Sequence, residues 1–147
     1  MLELDSLVVS RIATDTTMKT LLGVTTADNR IYAWYPTTDI TYTMGGVDSS
    51  IIYRNSMEGR PFRWSYPYQI PNIEYYFRVM SLSQLKLRQI TERLIVLFDM
   101  TSLQSTNWSA KWITLSGVWD GMVEGNPTHL ILSKNVTFDF SIVVKRV

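Results

Sequence analysis

The fold is decided by residues 72–99, NIEYYFRVMSLSQLKLRQITERLIVLFD. In its first half apolar and more polar side chains alternate, and this period of two predicts a β-strand with one buried face. The predicted inner face consists of Ile73, Tyr75, Phe77 and Val79, and the outer face of Glu74, Tyr76, Arg78 and Met80.

The second half of this stretch changes to a helical period. Ser81 and Gln84 have the spacing of a capping box, which predicts the helix start at this boundary. The helix is expected to run to about Phe98. Its apolar stripe consists of Leu87, Ile90, Leu94, Leu97 and Phe98.

The N-terminal segment also has helical periodicity, carried by Leu4, Leu7, Val8 and Ile12. Asp15 is a candidate N-cap, and Gly23 is a candidate glycine at a helix end. We therefore expect either one helix of about twenty residues or two short helices broken near Thr14.

Residues 30–35, RIYAWY, predict a strand that stops at Pro36. Residues 37–66 are the least regular part of the chain, rich in Thr, Ser and Gly. They predict a loop or hairpin insertion, within which Ile51, Ile52 and Tyr53 could form a short strand.

The C-terminal third predicts strands. Residues 99–111 are interpreted as a polar connection, and 112–123 as a strand bulged at Gly117. Another strand is expected to begin at 130–132, followed by a tight turn at 133–135. Residues 136–144 alternate again and predict a closing strand with one apolar face.

This element order predicts an α+β fold with two helices packed on one face of a mostly antiparallel, partly mixed β-sheet. The length of 147 residues fits a single domain, 1–147, with the insertion at about 37–66.

Composition excludes several function classes. With 0 cysteines there is no disulfide, thiol nucleophile or cysteine metal site, and 1 histidine cannot form a two-histidine site within one chain. The net charge of +1 gives no overall basic footprint for nucleic acid. Aromatic residues make up 12% and charged residues only 18%. This composition favours a protein that buries part of its surface in an oligomer or a larger assembly. No run is long enough to span a membrane.

No catalytic motif is found, and no phosphate-binding glycine loop. The acidic candidates are Asp39, Asp48, Glu58, Asp120 and Glu124. Their spacing forces no convergence, so we interpret them as loop and turn residues. His129 has no visible orienting partner and is interpreted as a strand-edge residue. We expect no enzyme activity, no cofactor and no metal.

The aromatic residues divide into two groups. Tyr75, Phe77, Phe138 and Phe140 are assigned to the core. The candidates for a subunit or partner interface are Trp34, Tyr53, Trp64, Tyr66 and Tyr68.

Arg54, Arg60 and Arg63 are possible lumen or interface residues. Three interpretations stay open for them: a solvated loop, salt bridges to a neighbouring subunit, or loose contact with a passing phosphate backbone. Trp64 and Tyr66 close to these arginines also permit a small nucleic-acid-binding module.

Four segments carry a resemblance: DTTMKTLLG (15–23), RIYAWYP (30–36), IEYYFRVMS (73–81) and SQLKLRQITERLIVLFD (83–99). Their order resembles that of the tail terminator, or tail-completion, proteins of long-tailed bacteriophages. The strand that leads directly into the ITERLIVLF helix resembles that family in particular.

The resemblance implies a structural virion protein of the tail or neck, assembled in the cytoplasm of the host bacterium. It implies a homohexameric ring that caps the tail-tube protein and joins the tube to the head connector protein. DNA would be passing cargo, and no membrane is implied. The alternatives within the same class are a head-completion or connector protein and a tail-tube protein.

Overall fold

A computed structural model of the chain describes residues 2–23, 30–33, 48–56, 68–69, 72–104, 108–126 and 129–145. These residues form three helices and eight strands. The helices are α1 (Leu2–Thr14), α2 (Thr16–Leu22) and α3 (Gln84–Phe98). The strands are β1 (Ile31–Ala33), β2 (Ser49–Asn55), β3 (Tyr68–Gln69), β4 (Asn72–Ser81), β5 (Thr101–Gln104), β6 (Trp108–Asp120), β7 (Glu124–Asn126) and β8 (His129–Lys145).

The strands form one sheet in the order β1-β2-β4-β8-β6-β5, with β3 and β7 also paired to β8. The β1–β2 pair is parallel, and the other pairs are antiparallel. The sheet is therefore mixed and mostly antiparallel, and the α+β class is confirmed. The long strand β8 connects the two halves because it pairs with both β4 and β6.

The core lies on the face of the sheet that the alternation of β4 predicts. Tyr75 is paired with Phe138, and Phe77 with Val136, and all of them are buried. The Phe98 ring of α3 packs on this layer, with its centroid 5.5 Å from that of Phe77 and 5.6 Å from that of Phe138. The assignment of Tyr75, Phe77, Phe138 and Phe140 to the core is confirmed.

The N-terminal segment forms two helices because the chain breaks at Asp15. The Asp15 carboxylate accepts a hydrogen bond of 2.8 Å from the backbone N–H of Met18 and so caps α2. Gly23 ends α2 with a φ of 65°, a left-handed conformation that glycine adopts without strain. The predicted arrangement of two helices on one face is not confirmed, since all three described helices contribute side chains to one hydrophobic core.

An ion pair fixes α2 against α3. Arg93 donates hydrogen bonds of 2.9 and 2.6 Å to the two carboxylate oxygens of Asp15. The Arg93 hydrogen bond is the main reason why the pKa of Asp15 is held below its usual value, and the Met18 N–H acts in the same direction. One carboxylate therefore caps a helix and also joins two helices.

The capping box predicted at Ser81 is wrong. Ser81 still belongs to β4, and its buried hydroxyl lies 2.9 Å from the Ser49 hydroxyl of the adjacent strand. The N-cap of α3 is Ser83, whose hydroxyl accepts a hydrogen bond from the backbone N–H of Lys86. The strand thus continues up to two residues before the helix cap.

The polar connection predicted at 99–111 is also wrong. Met100 adopts a left-handed φ of 58°, and its N–H donates to the Ile113 carbonyl at 2.8 Å. This turn brings β5 alongside β6, where Leu103 is only 6% exposed. Pairing with β6 and the burial of Leu103 together hold this short strand, and neither is visible in the polar composition of the segment.

The tight turn predicted at 133–135 does not form, because β8 runs through these residues without a break. Lys134 is paired with Val79 of β4 on one side and with Asp120 of β6 on the other. Pairing on both sides outweighs the turn-forming composition. The predicted irregularity at Gly117 is confirmed as a register shift between Leu115 and Gly117.

Candidate interaction surfaces

The outer face of the sheet, opposite the core, carries most of the candidate functional side chains. Strand register places Arg54 of β2 beside Tyr76 of β4, and Tyr76 beside Thr137 of β8. In the next row Arg78 is paired with Asn135, which is paired in turn with Trp119 of β6. Residues from four strands therefore meet on one surface.

These side chains surround a depression of about 200 Å³, here called the outer-face pocket. It is lined by Arg54, Tyr76, Phe77, Arg78, Trp119, Asn135, Val136 and Thr137. Among the described residues, the lining contains two guanidinium groups and no carboxylate, in a chain whose net charge is only +1. The pocket is therefore a local concentration of positive charge.

Both arginines are held by neighbouring strands. The Arg54 guanidinium lies over the Tyr76 ring, 4.9 Å from its centroid. The Arg78 Nε donates a hydrogen bond of 3.3 Å to the Asn135 side-chain oxygen. Since a sheet holds both side chains, the positive charge has a defined position.

Trp119 closes one side of the outer-face pocket by lying over Gly117. A Cβ atom at Gly117 would be 3.1 Å from Cζ3 of the Trp119 ring. Gly117 is paired with Thr137, so the missing side chain lets the ring approach the sheet at the pocket. Trp119 is still 49% exposed, and one side of the ring faces solvent.

Thr137 contributes a buried hydroxyl to the outer-face pocket. The residue is 5% exposed, and its Oγ1 has no hydrogen-bond partner among the described residues. A buried hydroxyl without a partner is costly and uncommon in a folded protein.

The next row of the outer face has the opposite charge. Glu74 and Asp139 are paired directly across β4 and β8, an arrangement that is destabilising for like charges. Partial burial and, second, repulsion from Glu74 raise the pKa of Asp139 above its usual value. The charge of the side chains on the outer face therefore changes from positive to negative along the strands.

Exposed apolar side chains cluster around β6, β7 and the start of β8. We call this the β6–β8 patch; it consists of Trp112 (57% exposed), Val118 (38%), Trp119 (49%), Met122 (79%), Val123 (55%) and Leu130 (47%). Exposed apolar side chains are candidates for contact with another protein.

A second apolar surface lies on the helices. A shallow groove between α2 and α3 is lined by Thr17, Leu21, Gln89, Glu92, Arg93 and Val96. Val96 is 63% exposed, and Leu85 on the same helix is 64% exposed. The helical layer and the outer face of the sheet thus both present apolar side chains.

The structure describes only part of the predicted interface. Tyr53 is partly buried against the core, and Arg54 lines the outer-face pocket. Tyr68 lies in β3, where its backbone pairs with that of Lys145. The other candidates lie outside the described residues: Trp34, Trp64, Tyr66, Arg60 and Arg63. The interface and lumen assignments stay predictions.

The acidic candidates are dispersed. Asp48 forms an ion pair of 2.6 Å with Lys86, and Asp120 lies 3.8 Å from Lys134. Glu124 begins β7 and His129 begins β8, whereas Asp39 and Glu58 lie outside the described residues. Within the described ranges, no group of three His, Cys, Asp or Glu side chains could hold a metal ion.

Sequence reasoning missed the outer-face pocket. The alternation of β4 does place Tyr76 and Arg78 on the outer face, and that was the available signal. The partners Trp119 and Thr137 could be added only once the register of β8 with β4 and β6 was known.

No helix among the described residues is long and apolar enough to cross a lipid bilayer.

Comparison with known proteins gives a likeness in fold only. The sequence matches no known protein family and no curated protein. A solved chain from "Virion of native gene transfer agent (GTA) particle" superposes with a TM-score of 0.52 at 10% sequence identity. The superposition covers 95% of this chain and 94% of that chain. The two chains therefore share a fold along almost their whole length.

Proposed function

We propose that this chain is a structural protein of a phage-like virion. The observation that carries this proposal is the fold shared with a chain of a gene transfer agent virion over 95% of this protein. A structural role needs surfaces for neighbouring proteins, and the β6–β8 patch and the groove between α2 and α3 supply two.

More specifically, we propose a ring-forming tail terminator that caps the tail tube and joins it to the head connector. The resemblance of segments 73–81 and 83–99 to tail terminators supports this role. Apolar surfaces on both the helical layer and the sheet also suit a head-to-tail contact between copies, which closes into a ring when the rotation permits. The ring would be a hexamer through which DNA passes, and its work would need neither catalysis nor a cofactor.

Deletion of the gene tests the role, with particles examined by electron microscopy. A tail terminator should leave filled heads separate from tails whose length is no longer controlled. Absence of tubes would instead identify a tail-tube protein, and defective heads beside tails of normal length a head-completion protein. Normal, infective or gene-transferring particles would overturn the virion role altogether.

Complementation of the gene deletion with variants of this protein then tests the β6–β8 patch. Met122→Asp places a charge in the β6–β8 patch, where the native side chain is 79% exposed, so the fold should tolerate it. We expect this variant to fold and to fail in assembly. Gln104→Asp, at an exposed position of β5 outside the patch, is the matched control and should restore particles.

A further inference from the structure

We propose that the outer-face pocket is a socket for a carboxylate group that belongs to a neighbouring protein of the particle. That the neighbour is a virion protein rests on the proposed function; the chemistry of the socket does not. The charge of the lining supports this proposal. Arg54 and Arg78 both line the pocket, and none of the lining residues that the structure describes is acidic. Guanidinium groups are the side chains best suited to bind a carboxylate.

Both guanidinium groups are also preorganised. Arg54 is stacked on Tyr76, and Arg78 is held by Asn135 at 3.3 Å. Since strands on both sides fix these groups, a carboxylate would meet donors that are already in place. A solvated loop arginine would have to be ordered first, at a cost in side-chain entropy.

The Thr137 hydroxyl also favours a ligand, because it lies in the pocket wall and has no hydrogen-bond partner in the part of the chain that the structure describes. A ligand oxygen that reached Thr137 would accept this hydrogen bond and remove the cost of the unpaired group. The hydroxyl is covered in the free protein. We therefore expect the half-exposed Trp119 ring to shift when the ligand enters, and its fluorescence to report the event.

The surroundings favour a protein ligand over nucleic acid. A volume of about 200 Å³ holds one side chain, not a nucleotide with its neighbours. The paired carboxylates of Glu74 and Asp139 lie one row away and would repel a continuous phosphate backbone. Trp119 lines the pocket and is 49% exposed, which suits the apolar neighbours of an acidic residue.

A carboxylate can come from an acidic side chain or from a chain end, and peptides separate the two sources. The first peptide is acetylated and amidated and carries its carboxylate on one glutamate between leucines. The second peptide has glutamine in place of glutamate and carries its carboxylate at a free C-terminus. The neutral reference is the glutamine version with an amidated end. Binding to the full chain is followed by calorimetry and by tryptophan fluorescence. Trp119→Phe identifies the responding ring.

We expect one or both carboxylate peptides to bind more tightly than the neutral peptide. Arg78→Gln and Arg54→Gln should each weaken this binding by about tenfold, the usual scale for a charged hydrogen bond. Arg88→Gln, at an exposed arginine of α3 away from the pocket, should leave it unchanged. Thr137→Val should weaken binding several-fold without lowering the stability of the protein, which a purely structural hydroxyl would not do.

Equal binding of the neutral and carboxylate peptides would overturn the proposal, and so would no binding of any peptide. Tighter binding of a short single-stranded oligothymidine than of either carboxylate peptide would also overturn it, in favour of a phosphate site. The peptide experiment uses the isolated protein, so its outcome is separate from the deletion experiment. Specific carboxylate binding together with normal particles after deletion would reject the virion role alone.

Discussion

The hydroxyl of Tyr75 donates a hydrogen bond of 2.6 Å to the carboxylate of Asp5, and this bond joins the first helix to the central strand β4. The same Asp5 oxygen accepts a bond of 2.9 Å from the side-chain amide of Asn55 in β2. Burial first, and then the charge of Asp5, raise the pKa of Tyr75, so the phenol remains a protonated donor. One carboxylate thus satisfies two polar groups beneath the helical layer.

Asp5→Ala should therefore lower the free energy of unfolding by about 1–3 kcal/mol, because it removes the hydrogen bonds from Tyr75 and Asn55 to the Asp5 carboxylate. The shift in the urea midpoint measures this loss. Ser10→Ala, on the exposed side of the same helix, is the control and should change stability by less than about 0.5 kcal/mol. Equal effects of the two substitutions would show that the Asp5 contact does not hold α1 on the sheet.

The ion pair between Asp15 and Arg93 predicts a dependence of stability on pH. The pKa of Asp15 is lowered below the ordinary value of 3.8, so its contribution is present above that pH and is lost as pH falls through the lowered pKa. Asp15→Asn should retain the N-cap of α2. It should remove the pH-dependent contribution of the ion pair to the free energy of unfolding, which is on the order of 1 kcal/mol.

Unfolding by urea between about pH 2 and 5 measures that slope against wild type. Arg93→Gln is the complementary variant, since it removes the main cause of the lowered pKa, and should flatten the same slope. An unchanged slope in both variants would contradict the assigned role of the pair.

Asp139→Asn should stabilise the protein at neutral pH. The pKa of Asp139 is raised, so the charged form carries a penalty in the folded state that is fully present above that pKa. The penalty disappears as pH falls through the raised pKa, and the advantage of the variant should shrink there. We expect a gain of at most about 0.5 kcal/mol, given solvent screening.

The control for Asp139→Asn is Asp120→Asn, because the Asp120 side chain is 89% exposed and lies near Lys134. It should leave thermal stability almost unchanged at every pH. A loss of stability in Asp139→Asn at pH 7 would show that Glu74 does not act on Asp139 as a like charge.

Gly121→Ala should destabilise the turn between β6 and β7. A Cβ there would clash with the Ser133 hydroxyl, which donates a hydrogen bond of 2.8 Å to the Met122 carbonyl. Forcing these atoms apart should cost about 1–3 kcal/mol. Gly121→Ala combined with Ser133→Ala should recover part of the loss in a thermal melt, whereas full additivity would argue against the clash.

Periodicity predicted β4 and α3, the two elements whose apolar pattern is most regular. The alternation of β4 placed Tyr75 and Phe77 on the buried face, and the stripe through Leu94 placed α3 on the core. These predictions succeed because burial of one face repeats along the whole element. The break at Asp15 was also readable, since a carboxylate that caps a helix is a local signal.

Features that depend on pairing could not be predicted in this way. Ser133, Lys134 and Asn135 have the composition of a turn, yet strands on both sides hold them extended. The outer-face pocket joins Arg54 to Thr137, which are far apart in the sequence. Which side chains meet across a sheet is set by strand order and register, and alternation gives only the face on which each lies.

We propose that the chain forms rings in a virion, and electron microscopy of the purified protein can show these rings. The protein should be imaged alone and mixed with the tail-tube protein, with native mass spectrometry of the same samples. We expect closed rings with a central opening, either free or bound at tube ends. Monomers in both samples at every concentration, with bare tube ends, would contradict it.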